Sequence, residues 1–333
     1  MNSLRRVTII DVAKEAGVSI ASVSRFLNKP TSLRKKNRER ISTAIRKLNY
    51  HPLVHAQRLA GGKLDIFGLI IPGYEGIFYS FYALEIIKGI SLALEREGLD
   101  LHINIFWNKD NFKDSLVDGV IFADIINNEQ QFMRLLKKEV PVVVINKKME
   151  NTEVSFVAID NFKGAYEATD FLIKRGHRKI AHLSGDLTVQ CAQERLEGYK
   201  KALKKSNLSI EEKYIKFTNF SRAQAREASE ELLSLPSPPT AIFSASDDMA
   251  EEVLNVALQK GVDVPKKLSV IGFDDNPRCV HNNFSLTTVR QPLGKMAQIA
   301  VSILKDLVDK KDTSLKKIVL APELVIRDTV NLH

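Results

Sequence analysis

Cysteine, tryptophan and long apolar runs are what this chain has least of, and each shortage narrows its chemistry. Its 333 residues hold two cysteines, Cys191 and Cys279, far apart and outside any C-x-x-C pair. That spacing supports neither a disulfide framework nor a zinc ribbon, and it fits thiols kept reduced in a cytosol. No stretch reaches the ~18 consecutive apolar residues that a membrane helix needs. The apolar start VTII is cut short by Asp11, so no secretory leader is read there; the expectation is a cytoplasmic protein with no membrane partner. G-x-S-x-G, H-E-x-x-H and a P-loop are missing, and the Gly73/Gly76 pair after the first strand is too sparse for a dinucleotide fingerprint. The seven histidines show no ligand spacing, and His177 and His182 read as structural. These absences argue against an enzyme, a metal site and a cofactor.

What is present is positive charge, and it is local. Residues 1–63 carry 14 Lys and Arg against 3 acidic residues, a net of +11, whereas residues 64–333 carry 35 against 37. A basic module on a near-neutral body is the footprint of a phosphate-backbone binder. A solvated basic face is the alternative, and the helix signals decide between them. Thr8 and Asp11 have the spacing of a capping box, Ile9, Val12, Ala13 and Ala16 follow on one face, and Gly17 supplies a left-handed stop. Ser19 can cap a second helix with Val23, Phe26 and Leu27 inward, which makes a helix-turn-helix. Asn37 is expected to cap a third, with Ile41, Ala44, Ile45 and Leu48 inward.

On a helical wheel Ala21, Arg25 and Asn28 lie opposite the buried stripe of the second helix, on the face that would enter a major groove. Arg25 can donate a bidentate pair to guanine or hold a phosphate, while Ile20 and Ala21 can pack on thymine methyls. Ser22, Ser24 and Asn28 can reach bases or phosphates, and Thr8, Ser19 and Asn37, at the helix starts, complete the expected DNA-binding set.

From Leu64 onward apolar runs alternate with amphipathic stretches: LDIFGLII, a helix near 79–97, LHINIFW, DGVIF, a helix near 128–139, then VVVI. The pattern resumes after Asp160 with KIAHLSG, AIFSAS and LSVIGFDD separated by helices. Strand and helix in turn give parallel sheets with right-handed crossovers, and about 270 residues suit two doubly wound lobes. Ligands in such folds settle at the carboxyl ends of strands.

Residues 7–28, VTIIDVAKEAGVSIASVSRFLN, closely resemble the DNA-binding headpiece of the lactose-repressor/galactose-repressor family. Tyr50, Pro52 and the run Ala56 to Ala60 resemble that family's hinge, which becomes helical on operator DNA. There Arg58 would contact DNA, and Leu59 matches a leucine that wedges into the minor groove; otherwise it is an ordinary apolar linker residue. Leu53 and Gln57 depart from the common hinge Asn and Arg. IDNFKGAYEATDFLIKRGHRKIAHLSG, PTAIFSASDDMAEE, VPKKLSVIGFDD and SLTTVRQP resemble the family's body in order and spacing.

The resemblance implies an all-α helix-turn-helix headpiece and hinge over 1–63 and an α/β periplasmic-binding-protein-like body over 64–333. Lobe 1 is expected at about 64–160 and 291–325, lobe 2 at about 161–290. It implies a ligand-responsive regulator, most simply a repressor of sugar or other carbon-source genes, that binds operator DNA as a homodimer. A purine or protein co-effector, or an activating role, stays open. The implied effector ligands are Asp274 and Arg195, with Asp160 weaker, Phe78 or Tyr79 offering an aromatic face, and Ser246 where the family often has Asn. A plain Arg195–Asp274 salt bridge, and Phe78 and Tyr79 as core, are the competing readings. Only about ten residues separate LHINIFW from VDGVIF, where the family usually fits a helix.

Overall fold

The computed structural model describes residues 7–28, 30–50, 63–74, 76–280 and 285–333. Two compact units are present: Met1–Ile66 with Lys113–Asp118, and Phe67–Phe112 with Gly119–His333.

The first unit contains the three expected helices, α1 (Ile9–Ala16), α2 (Ile20–Asn28) and α3 (Lys35–Lys47). Thr8 and Asp11 cap α1 reciprocally: the Thr8 amide donates to Asp11 Oδ2 at 2.8 Å and the Asp11 amide to Thr8 Oγ1 at 3.4 Å. Gly17 ends α1 at φ +63, and a Cβ there would stand 2.9 Å from Arg40 Nη2. Glycine therefore meets both a left-handed backbone and a close approach. Val12, Ala13, Ala16, Val23, Ile41 and Ala44 form the buried core, with Phe26, Leu27, Ile45, Leu48 and Tyr50 packed around it. Asn37 does not cap α3. The 3-10 turn Pro30–Ser32 leaves only Leu33 and Arg34 ahead of the helix, which starts at Lys35 with Arg34 as its N-cap and no side-chain bond.

The second unit holds two six-stranded sheets. The first runs β11 (Lys317–Leu320), β5 (Ser155–Ile159), β4 (Val142–Ile145), β3 (Gly119–Ala123), β1 (Ile66–Pro72), β2 (Asp100–Phe106). The second runs β12 (Glu323–Val325), β10 (Thr287–Arg290), β9 (Ser269–Asp274), β8 (Ala241–Ser244), β6 (Ile180–Ser184), β7 (Ile215–Phe217). The registered pairs are parallel except β12 on β10. Strands β1, β3, β4 and β5 are buried along their whole length, as sheets covered on both faces require.

In chain order the crossover helices are α4 (Phe81–Glu97), α5 (Glu129–Lys137), α6 (Asn161–Lys174), α7 (Gln190–Lys205), α8 (Arg222–Leu233), α9 (Asp247–Gln259) and α10 (Leu293–Val308). Helices α4 and α10 pack closely, because Gly89 lets Ala297 and Gly294 approach. Between β2 and β3 there is a 3-10 turn, Asp114–Leu116. The ring of Phe112 stands over Gly68 of β1, in the space a Cβ there would need. One expected boundary is corrected: β11 belongs to the first sheet, but β12 pairs antiparallel with β10 in the second, so lobe 1 does not extend to 325. Three residues of ELV carry no sheet preference of their own; partner availability at the β10 edge decides.

Candidate DNA interface and effector cleft

Burying Val23 turns the opposite face of α2 to solvent. Ile20, Ala21 and Arg25 are exposed, Ile20 at 47%. A bulky apolar side chain held out beside a guanidinium suits a surface that needs both methyl packing and bidentate donation. Ser19 caps α2, accepting from the Ser22 amide at 3.2 Å, and its hydroxyl lies 2.9 Å from that of Ser22, so these two are partly committed to the turn. Ser24 is half-buried, and Thr8 is exposed at the start of α1. Arg34, Lys35 and Lys36 are exposed at the uncapped start of α3. Three cations at the positive end of a helix dipole work against the helix unless an anion sits there. Arg58 and Leu59 lie outside the described residues, as does the side chain of Asn28.

In the second unit the carboxyl ends of β9 and β8 deliver the expected polar groups. Asp274 closes β9 at φ +134 and accepts from Gln291 Nε2 at 2.6 Å. Arg195 is almost fully buried on α7: Nε donates to Asn161 Oδ1 at 2.9 Å and Nη1 to the Ala245 carbonyl at 2.5 Å. Its guanidinium carbon lies 3.7 Å from the Phe273 ring centroid, a stacked arrangement that fixes the plane of the fork. Arg195 and Asp274 are thus neighbours in the chain's packing, but each is held by other partners rather than by a mutual ion pair. Ser246 caps α9 through the Met249 amide at 3.3 Å, and Asp160 caps α6 through the Lys163 amide at 2.9 Å. Both side chains therefore carry a structural duty. Phe78 and Tyr79 sit on the 3-10 turn Ile77–Tyr79, 66% and 76% exposed, which is not core.

Asp247, in the first turn of α9, is fully buried and accepts from Thr288 Oγ1 at 2.5 Å and from the Asn276 amide at 2.7 Å. Gly272 makes room for it, since a Cβ there would overlap Asp247 Oδ1 at 2.1 Å. Burial first, and then the charge of Asp274, pushes the Asp247 carboxyl well above the ordinary carboxylate range. Burial raises Asp274 too, against the pull of Arg195.

The sequence reading missed the facing wall. Asp124 and Asn146 end β3 and β4 at φ +79 and +70, and Asn146 Nδ2 donates to Asp124 Oδ2 at 3.1 Å. Burial raises the Asp124 carboxyl. Tyr74 and Tyr82 complete this wall. Burial and then the charge of Asp124 raise the Tyr82 phenol against the pull of Arg195, while the Tyr74 phenol, on a side chain 47% exposed, is raised by partial desolvation and the charges of Asp248 and Asp274. Groups from both sheets therefore lie within electrostatic reach of one another. Lys148, just after β4, bridges to α7: its amide donates to Gln190 Oε1 at 2.7 Å and Nζ lies 3.0 Å from Glu194 Oε1. The signal was available, because VIFAD and VVVIN place a polar residue after an apolar strand as LSVIGFD does. His182 is stacked between Tyr199 and Phe243, and burial lowers it to about 4, a neutral core residue.

A helix-turn-helix module followed by a two-sheet periplasmic-binding-like body is the architecture of a DNA-binding transcriptional regulator. Residues 8–53 match bacterial regulatory proteins of the lacI family, and residues 169–330 match a periplasmic binding protein-like domain. The "Probable HTH-type transcriptional repressor ExuR" of Bacillus subtilis (strain 168) is 32% identical over 329 residues, spanning 97% of this chain and 98% of its own. The solved complex of the transcriptional regulator CelR with cellobiose superposes with a TM-score of 0.74 at 28% identity, covering 97% of this chain and all of that one. The lac repressor dimer bound to operator and the anti-inducer ONPF shares the fold, with a TM-score of 0.84 at 24% identity over 98% of this chain and all of that one. The chain belongs to the lacI family of bacterial regulatory proteins, which are DNA-binding regulators and not enzymes. Among the described residues, no helix is long and apolar enough to cross a membrane.

Proposed function

We propose that this protein is a ligand-responsive repressor that binds a two-fold symmetric operator as a homodimer in the cytoplasm, with a sugar or sugar derivative in the cleft between its two sheets. The observation that carries the DNA half is the solvent-facing Ile20, Ala21 and Arg25 on α2 within a +11 segment. Arg25 reads a base, Ile20 and Ala21 contact methyl groups, and Thr8, Ser19, Ser22, Ser24, Asn28 and the start of α3 position the backbone. Tyr50, Pro52 and the run Ala56 to Ala60 act as the hinge, with Arg58 contacting DNA and Leu59 wedging into the minor groove, by resemblance alone. A similar lac repressor was solved as a dimer on operator, and symmetric half-sites call for a symmetric protein.

The ligand half rests on Asp274 at the end of β9 and Arg195 on α7, with Phe78 or Tyr79 as an aromatic cover and Asp160 and Ser246 as helix-capping residues. The similar regulator CelR was solved in complex with cellobiose. Ligand binding favours one arrangement of the lobes over another and so changes whether the hinges can order on DNA. The test is operator binding by fluorescence anisotropy with and without a sugar that stabilises the protein. Asp274→Ala should bind operator like the parent and lose the response; a variant that keeps both refutes the pocket.

A further inference from the structure

One side chain clasps the chain where it enters β1. Leu64, two residues ahead of that strand, donates its amide to both carboxylate oxygens of Asp118, Oδ1 at 2.9 Å and Oδ2 at 3.0 Å, and the Ile66 amide donates to Oδ2 at 3.4 Å. In return the Asp118 amide donates to the Ile66 carbonyl at 2.8 Å. Between the two held residues Asp65 stands at φ +53, a left-handed backbone that costs a non-glycine residue energy and persists where its neighbours are fixed. Asp118 is itself held in place: it follows the 3-10 turn Asp114–Leu116 and the buried Val117, and leads directly into β3, a strand buried along its whole length. On the other side of the clasp the sequence reads Gly61, Gly62 and Lys63, preceded by the run Ala56 to Ala60 that resembles the hinge. Glycine restrains backbone direction least, so the pair leaves it to the clasp to impose the course of the chain.

Resting on the reading of a homodimer on a two-fold operator, we propose that Asp118 is a positioning residue for DNA recognition. Its hold on Leu64 and Ile66 sets the length of chain that joins each headpiece to the body, and so the half-site spacing that the dimer accepts. Two DNA-binding modules on one dimer assist each other through effective concentration, which falls as their connection lengthens. Releasing Lys63, Leu64 and Asp65 adds about 10 Å of reach, at ~3.3–3.6 Å per extended residue. One base pair moves a half-site by about 3.4 Å, so the released length exceeds that step and the clasp withholds it.

The test starts from the two-fold site that the full chain enriches from random duplex DNA, rebuilt with its half-sites one base pair closer and one base pair further apart. The parent should lose about 10-fold or more in affinity on either altered spacing, and Asp118→Ala less than about 3-fold, with its affinity for a single half-site unchanged. Hydrogen exchange at the Leu64 amide should be faster in that variant without DNA. Asp118→Asn keeps one acceptor for the Leu64 amide and should fall between the two, which carries the test if the alanine variant does not fold. Three glycines inserted between Gly62 and Lys63, with the clasp intact, should relax the spacing as Asp118→Ala does. A parental spacing penalty in every folded Asp118 variant overturns the role of Asp118, and an insertion variant that keeps the parental penalty overturns the argument from length. Enrichment of no paired half-sites overturns the two-fold operator itself, and this inference with it.

Discussion

Replacing Arg34, Lys35 and Lys36 together by alanine separates backbone grip from base reading. All three are exposed around the first turn of α3, where Arg34 offers no capping bond. Each phosphate contact contributes a slope of about −0.9 to log affinity against log salt. If each of the three meets one phosphate in each of two protomers, the triple substitution removes about six contacts and flattens the slope by about 5.4. Between ~50 and ~200 mM salt, a fourfold change, the parent should therefore lose about 2,000 times more of its affinity than the substituted protein does. The helix itself should survive, since alanine is the best helix former and removing cations from the positive end of the dipole is favourable. Circular dichroism checks that point. Anisotropy titrations at several salt concentrations, on operator and on scrambled duplex, give the slope and the preference separately. A slope equal to the parent's would return the cluster to a solvated basic face.

Arg25→Ala should relax one base pair per half-site and cost about 1–3 kcal/mol of discrimination, read by binding-site selection; full retention of the preference refutes base reading. Ile41→Ala, at the centre of the headpiece core, should destabilise that unit by about 2–5 kcal/mol and lower operator affinity through unfolding, leaving effector binding intact by calorimetry. The raised carboxyls of Asp247 and Asp274 bind protons more tightly folded than unfolded. Their contribution is therefore fully present at acid pH and is lost as pH rises out of the ordinary carboxylate range through neutrality. The melting point of Asp247→Asn, compared with the parent at each pH, should gain on it steadily from pH ~5.5 to ~8.5; a constant difference contradicts the shift.

The headpiece was legible because its signals are local: the Thr8/Asp11 box, Gly17 and the Val23 stripe each fix backbone within four residues. Helix α3 starts at Lys35 rather than after Asn37, because a side chain that can cap need not do so when the preceding turn admits an earlier start. The alternation of strands and helices pointed to two doubly wound lobes, but the sheet that takes β12 depends on which edge is free, which only the tertiary fold decides. Strand-end logic pointed to Asp274 and the resemblance to Arg195, and the structure puts the first at the end of β9 and the second within α7. Tyr82 was missed, because an orphaned hydroxyl is a property of its surroundings and leaves no trace in the order of residues. For Ser246 and Asp160 the sequence revealed a polar side chain at a strand end but not that a helix amide already uses it.

The central claim is that the basic helical module reads a specific DNA sequence and that the cleft controls it. Selection of the full chain on random duplex DNA, followed by competition of the enriched site against its scrambled form at physiological salt, tests it most directly. The account predicts a two-fold symmetric site preferred by roughly 10³-fold or more, a preference that a stabilising sugar changes in the parent but not in Asp274→Ala. Equal binding to enriched and scrambled duplex, with or without the sugar, would contradict it.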